Sequence, residues 1–335
     1  MTKVLVTGGT GFVASWTIKK LLEKSYEVRA TIRSENKADN IKSMLTRSGA
    51  PIAGLSFAIA DLNNSQGWEE AMEGIDYVLH IASPLGSTDP NESSIIETAK
   101  NGTIHVVTAA LQAKVKKIVM TSSLAAATPL KKVTDKAVDE TFWTDPMNPE
   151  LNAYRRSKVI AEQAAWALVK TQEQTSLTTI LPGAIFGPLL DKSHTGSVQF
   201  VQTLLKGGTP SAKIDFEIVD VRDLADLHIL AMENDKANGQ RYIAESENLS
   251  MKEIAGILHD NMGEDGKKVS LLTIPNIVLK VAAKVNPALG ALTPMLNRKF
   301  QHTNHKAKSE LSWQPKLGKE TIIATGESLI EFKLI

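Results

Sequence analysis

Short β-branched runs alternate with longer amphipathic stretches through the first half of the chain. The pattern predicts strands over 4–6, 28–32, 55–60, 75–82, 117–121 and 177–181. Between them it predicts helices over 12–23, 37–47, 65–72, 93–113 and 151–170. Strands that alternate with helices pair in parallel through right-handed crossovers, so the expected fold is α/β with a doubly wound parallel sheet. The pattern loosens after residue 183. Residues 183–210 are rich in Gly, Pro and Ser, with one helical stretch near 198–205. Ser250 is placed to cap a helix running to about Asn261, and apolar helical stretches recur over 275–292 and 319–331. The expected organisation is a nucleotide-binding domain over 1–183, with 212–243 returning to it. A smaller, mostly helical substrate lobe is expected over 184–211 and 244–335, above the C-terminal ends of the strands.

Composition narrows the function classes. With 335 residues the chain is long enough to bury a large core. Lys+Arg (38) and Asp+Glu (37) nearly cancel, which gives no field to attract nucleic acid or an anionic membrane. There is no cysteine, so disulfides, thiolate zinc sites and thiol catalysis drop out together. The first strand begins almost at the initiator Met, and no apolar run approaches the ~20 residues of a membrane span. A cytoplasmic enzyme acting on a small molecule, monomeric or homodimeric, is the expectation. His302 and His305 are three apart, but no carboxylate pattern completes a metal site.

Three motifs carry chemistry. Thr7-Gly8-Gly9-Thr10-Gly11-Phe12-Val13-Ala14 joins the first strand to the first helix. That context makes it a dinucleotide-binding loop: Gly8 for the tight turn, Gly11 for close approach of a pyrophosphate to the helix N-terminus. Ala14 stands where a third glycine is usual. The second strand ends Thr31-Ile32-Arg33-Ser34, with Lys37 four residues past Arg33. An NAD-selective strand ends in a carboxylate for the ribose hydroxyls; a guanidinium suits the 2′-phosphate of NADPH. Tyr154 and Lys158 are four apart in a helical pattern, hence on one face. A free phenol has a pKa of about 10, and a nearby ammonium stabilises its anion, so Tyr154 becomes a usable acid for a newly formed alkoxide. Thr121-Ser122-Ser123 ends the fifth strand and offers a hydroxyl for the substrate oxygen; Ser123 is preferred, with Ser122 second.

Together these residues resemble the extended short-chain dehydrogenase/reductases. The nearer likeness is to the branch holding dihydroflavonol reductases, cinnamoyl-CoA reductases and microbial NADPH-dependent aldehyde and methylglyoxal reductases. It covers nearly the whole chain. Val6 to Ser15 resembles the microbial enzymes' phosphate loop, which also tolerates Ala at the third position; Val28 to Arg33 with Lys37 resembles the NADP-selecting strand. Asp61-Leu62 looks like the adenine-contacting pair, and His80-Ile81-Ala82-Ser83-Pro84 like a segment lining the cofactor cleft. Leu181 to Pro188 resembles the stretch that passes the nicotinamide, Val219 to Asp223 a Val-Asp-Val-Arg-Asp segment, and Leu311 to Pro315 a Leu-Gly-Trp-x-Pro stretch with Ser312 for Gly.

The resemblance implies a Rossmann fold, a Ser123–Tyr154–Lys158 catalytic triad and NADPH as cofactor. Cofactor contacts are implied at Thr7, Gly8, Thr10, Gly11, Phe12, Val13, Arg33, Lys37, Asp61, Leu62, Ala82, Ser83, Thr121, Tyr154, Lys158, Pro182, Gly183 and Ile185. In the plant reductases a polar side chain a few residues after the serine binds a polyphenol. Here Leu124-Ala125-Ala126-Ala127 is apolar, which favours small aldehydes and ketones, with Leu85, Leu124, Phe142, Trp143 and Phe186 as pocket walls. Two other readings share parts of the pattern: a sugar-nucleotide epimerase or dehydratase of the same superfamily, and a non-catalytic NADP-sensing protein. Relatives of the second kind typically lose the Tyr or the Lys, and both are intact.

Overall fold

The computed structural model describes residues 1–84, 92–129, 136–194, 196–282, 296 and 301–335. Val4 and Val6 bury one face of the first strand while Leu5 buries the other, as a central strand of a two-sided sheet requires. Strands β1 (Lys3–Val6), β2 (Glu27–Ile32), β3 (Leu55–Ile59), β4 (Tyr77–His80), β5 (Lys117–Thr121), β6 (Ser176–Pro182) and β9 (Arg241–Ala244) form one parallel sheet in the order β3-β2-β1-β4-β5-β6-β9. The order reverses between β1 and β4, which opens a crevice at their C-terminal ends. Helices α1 (Phe12–Glu23), α2 (Ala38–Arg47) and α7 (Val221–Glu233) cover one face through Ile18, Leu21, Leu45 and Leu224. Helices α3 (Trp68–Met72), α4 (Glu92–Gln112) and α5 (Ala153–Val169) cover the other through Trp68, Val106 and Ala161.

The second lobe holds an element that the hydrophobic pattern did not announce. Strands β7 (Ala184–Phe186), β8 (Asp215–Asp220) and β10 (Glu247–Ser250) form a three-stranded sheet in the order β10-β8-β7. Helices α6 (Val198–Leu205), α8 (Met251–Asn261) and Gly318–Glu331 pack on it. Residues 212–243 therefore divide: β8 belongs to the small sheet, while α7 packs on α1 and leads to β9 of the large one. Ser250 caps α8 with a full capping box to Glu253. Of the helical stretch expected over 275–292, Asn276–Ala282 is seen as helix and the rest lies outside the described residues. No helix among the described residues is long and apolar enough to cross a membrane.

The Val219–Asp223 segment joins the lobes. Asp220 caps α7 and accepts two hydrogen bonds from the Arg222 guanidinium. Asp223 accepts from the backbone and ammonium of Lys316, and its carbonyl accepts from the Trp313 indole at 2.8 Å. Trp313 is 2% exposed. Ser312, just before it, sits at φ 55°, a left-handed conformation that costs an L-residue about 1–2 kcal/mol. The related stretch has Gly at this position, and the geometry gives the reason. Ser312→Gly is expected to raise the melting temperature without altering the site; calorimetry on the purified pair checks this.

Candidate active site

The phosphate loop is built by backbone hydrogen bonds. The amide of Gly8 donates to Thr31 Oγ1, that of Gly9 to the Thr31 carbonyl, and that of Gly11 to the Gly8 carbonyl, all at 2.8–2.9 Å. Gly8 has φ 72°, and a Cβ there would lie 3.0 Å from that of Ala82, so neither conformation nor space admits a side chain. Helix α1 starts at Phe12 with no side-chain cap and no acidic residue in its first turn. Thr10 and Gly11 are exposed at that end. Uncapped N–H groups beside exposed backbone form a seat for a pyrophosphate.

Thr7 serves this loop from within. It is fully buried, and its hydroxyl accepts from the amides of Ile81 and Ala82 at 3.0 and 2.9 Å. With both lone pairs taken, the hydroxyl donates to His80 Nδ1 at 3.0 Å, so His80 is neutral with its proton on Nε2. Burial pulls the His80 pKa down to about 3, in keeping with that state. Thr7 therefore braces the loop rather than offering its side chain to a dinucleotide. Thr121 is likewise engaged: His228 Nδ1 donates to the Leu224 carbonyl, so its Nε2 accepts from the Thr121 hydroxyl at 2.7 Å.

Arg33 and Lys37 stand exposed beyond β2, with no ion pair among the described residues. Asp61 accepts from the amide and side chain of Asn63, and Leu62 packs against Gly102 of α4. Both sit past the end of β3, on the side of the crevice where an adenine would lie.

The triad meets where β5, α5 and β6 converge. Tyr154 is the second residue of α5, whose N-terminus is capped by Asn152 accepting from the Arg155 amide. Lys158, one turn on, holds its Nζ 5.7 Å from the Tyr154 ring centroid and donates to Ser83 Oγ at 2.8 Å. Ser123 hydrogen-bonds the Tyr154 hydroxyl while accepting from the Ala125 amide at 3.2 Å. The neighbouring Ser122 turns the other way and donates to Glu162 Oε2 at 2.5 Å. Ser123, not Ser122, is the hydroxyl that faces the cleft.

Two opposed influences act on Tyr154. Burial raises its pKa, and the Ser123 hydrogen bond lowers it. The positive end of α5 and the Lys158 ammonium also favour a phenolate. Lys158 is itself pulled down to about 8 by burial. The unfolded chain thus binds more protons than the folded one between pH 8 and the ordinary lysine value of 10.5, and stability rises with pH across that window. Lys158→Met is expected to raise the melting temperature of the cofactor-free protein at neutral pH and to remove this pH dependence. Thermal scans between pH 7 and 10 measure both.

Glu162 anchors α5 beneath the triad. It is fully buried and accepts from Ser122, from Thr179 at 2.7 Å and from Arg241 Nε at 2.8 Å. Arg241 also donates to the carbonyls of Glu140, Phe142 and Ala126, and Trp143 stacks 3.7 Å over its guanidinium. The sequence reading missed this pair, although an arginine in an otherwise apolar strand-like run was a visible signal.

A cleft of about 300 Å³ opens beside the triad. Ser123, Tyr154, Pro182 and Gly183 line its inner side. A Cβ on Gly183 would come within 2.0 Å of the Glu217 carbonyl, so only Gly lets β6 pass β8 here. Leu124 and Ala125 line the cleft, but Ala126 and Ala127 are fully buried. The far wall is mixed: Thr128 follows the apolar run directly, and Ser197, Asp215, Glu217 and Asn248 stand there with Ala184 and Phe216. Phe186, expected as a wall, is fully buried against Phe200 and Phe216. Phe142 and Trp143 bind Arg241 and do not line the cleft; Ile185 is half-buried against the main core. Leu85 lies outside the described residues.

Comparison with known proteins agrees with this geometry. The model of the NAD dependent epimerase/dehydratase family matches residues 4–244. The chain is 38% identical over 247 residues to cinnamoyl-CoA reductase 1 of Petunia hybrida, covering 72% of each. It is 33% identical over 272 residues to an anthocyanidin reductase of Vitis vinifera, covering 76% of this chain and 79% of that one. Among solved structures, Gre2 of Candida albicans in complex with NADPH superposes with a TM-score of 0.82 at 26% identity, over 99% of both chains. From β1 to β9, over residues 4–244, the chain matches the NAD dependent epimerase/dehydratase family, and it belongs to that family.

Proposed function

We propose that the protein is an NADPH-dependent reductase that converts aldehydes or ketones to alcohols, with Tyr154 as proton donor. The observation that carries this reading is Tyr154 lining the cleft with Ser123 and backed by Lys158, whose Nζ lies 5.7 Å from its ring centroid. The relatives whose names end in reductase, and the NADPH in the Candida structure, support it. The open N-terminus of α1 and the exposed cations Arg33 and Lys37, without an ion pair among the described residues, fit the pyrophosphate and the 2′-phosphate.

NADPH, when bound, supplies the hydride that adds to the carbonyl carbon. Ser123 and Tyr154 hold the carbonyl oxygen between two hydroxyls. As charge grows on that oxygen, the Tyr154 proton passes to it and the alcohol forms. The phenolate left on Tyr154 is stabilised by Lys158 and by the start of α5. Protein purified without added cofactor is expected to lack nicotinamide absorbance and to bind NADPH reversibly. A tightly held cofactor that does not exchange would point instead to epimerase chemistry.

A further inference from the structure

We propose that His302 is a positioning residue of the substrate pocket, a buried imidazolium that ties the segment after Ser123 to the far wall through Glu217. This rests on the reductase reading for the identity of the pocket, though not for the charge on the ring.

The hydrogen bonds decide that charge. His302 Nδ1 lies 2.7 and 2.9 Å from the two Glu217 carboxylate oxygens. Nε2 lies 3.1 Å from the Ala127 carbonyl and 3.3 Å from Thr128 Oγ1. The Thr128 hydroxyl spends its proton on the Leu124 carbonyl, so it too faces the ring with a lone pair. Every partner is an acceptor. A neutral ring has one N–H and would set a lone pair against either the carboxylate or the carbonyl. The arrangement is satisfied only when both nitrogens carry protons. The side chain is 0% exposed, so no solvent relieves a mismatch.

Position gives the charge its use. The backbone amide of His302 also donates to Glu217, at 2.7 Å, so the residue grips that carboxylate twice. Glu217 and Thr128 both line the cleft, and Glu217 is paired in register with Asn248, another lining residue. One ring thus holds together parts of the chain near residues 128, 217 and 302, opposite Tyr154. Other charged groups face it. Glu245 from the turn before β10 is buried, its carboxyl pushed up to about 7 by burial first and then by Glu217. Glu247 and Lys308 act on Glu245 from β10 and from the helix His305–Leu311. With only one proton the ring can hold Glu217 or the Ala127–Thr128 segment but not both.

Selective labelling of histidine rings tests the charge directly. The His302 signals, assigned by their loss in His302→Gln, are expected to be those of a doubly protonated ring near neutral pH. In Glu217→Gln, which replaces the carboxylate by a neutral amide, the signals are expected to become those of a singly protonated ring. In steady-state kinetics, His302→Gln is expected to raise KM for the carbonyl about tenfold or more, a loss of about 1.4 kcal/mol. NADPH affinity and kcat should change little. Glu217→Gln, which removes the carboxylate the ring holds, should raise KM in the same direction. A neutral ring in the wild type, an unchanged KM in His302→Gln, or a ring unchanged by Glu217→Gln overturns the proposal. If His302→Gln does not fold, the wild-type and Glu217→Gln spectra still decide. If no carbonyl is reduced at all, the function reading fails while the ring signals stand.

Discussion

Tyr154→Phe is expected to lower kcat for carbonyl reduction by about 10²–10⁴-fold, the usual span for loss of a general acid. NADPH affinity should stay nearly constant. The substitution removes one oxygen at the second residue of α5 and leaves the cap at Asn152, the Lys158–Ser83 bond and the glycine loop in place. Ser123 keeps the Ala125 amide but loses the hydroxyl it bonds. The loss therefore falls on the transition state, where charge develops on the substrate oxygen, and not on ground-state binding. Fluorescence titration with NADPH, run beside steady-state kinetics, separates the two. Retained turnover would remove Tyr154 from the mechanism.

Arg33→Asp is expected to weaken NADPH by about 100-fold or more while changing NADH far less. A hydrogen bond to a charged group contributes about 1.5–3 kcal/mol, and a guanidinium makes two to a phosphate. The aspartate adds repulsion toward the 2′-phosphate, yet it can accept from the ribose hydroxyls of NADH. Arg33 carries no ion pair among the described residues and lies exposed past β2, so the change should not disturb the fold. Equal weakening of both cofactors would show that Arg33 does not read the phosphate.

The features legible in the sequence are the local ones. The glycine loop, the Tyr154–Lys158 spacing and the cations after β2 each fall within a few residues, and a strand or helix of known period fixes their geometry. The far wall of the cleft was not legible, because strands 30 residues apart bring Glu217 and Asn248 into register. Phe186 misled for a related reason. An aromatic beside a glycine-rich stretch suggests a pocket, yet the pleat of β7 turns it into a second core with Phe200 and Phe216. The apolar run after Ser123 reaches the cleft only in part: Leu124, Ala125 and Thr128 line it, while Ala126 and Ala127 are buried.

These corrections bear on the substrate. Thr128, Glu217 and Asn248 add polar groups to a lining that also holds Leu124, Ala125, Ala184 and Phe216. The reaction assigned to Tyr154 is unchanged by this.

The central claim is that this chain moves hydride from NADPH to a carbonyl carbon. Incubation with NADPH deuterated at the nicotinamide C4, across a panel of aldehydes, ketones, α-ketoesters and diketones, measures that transfer. The expected result is alcohol formed in step with NADPH consumed, with deuterium at the carbinol carbon and a single handedness. A protein that binds NADPH but transfers deuterium to no member of the panel would contradict the account.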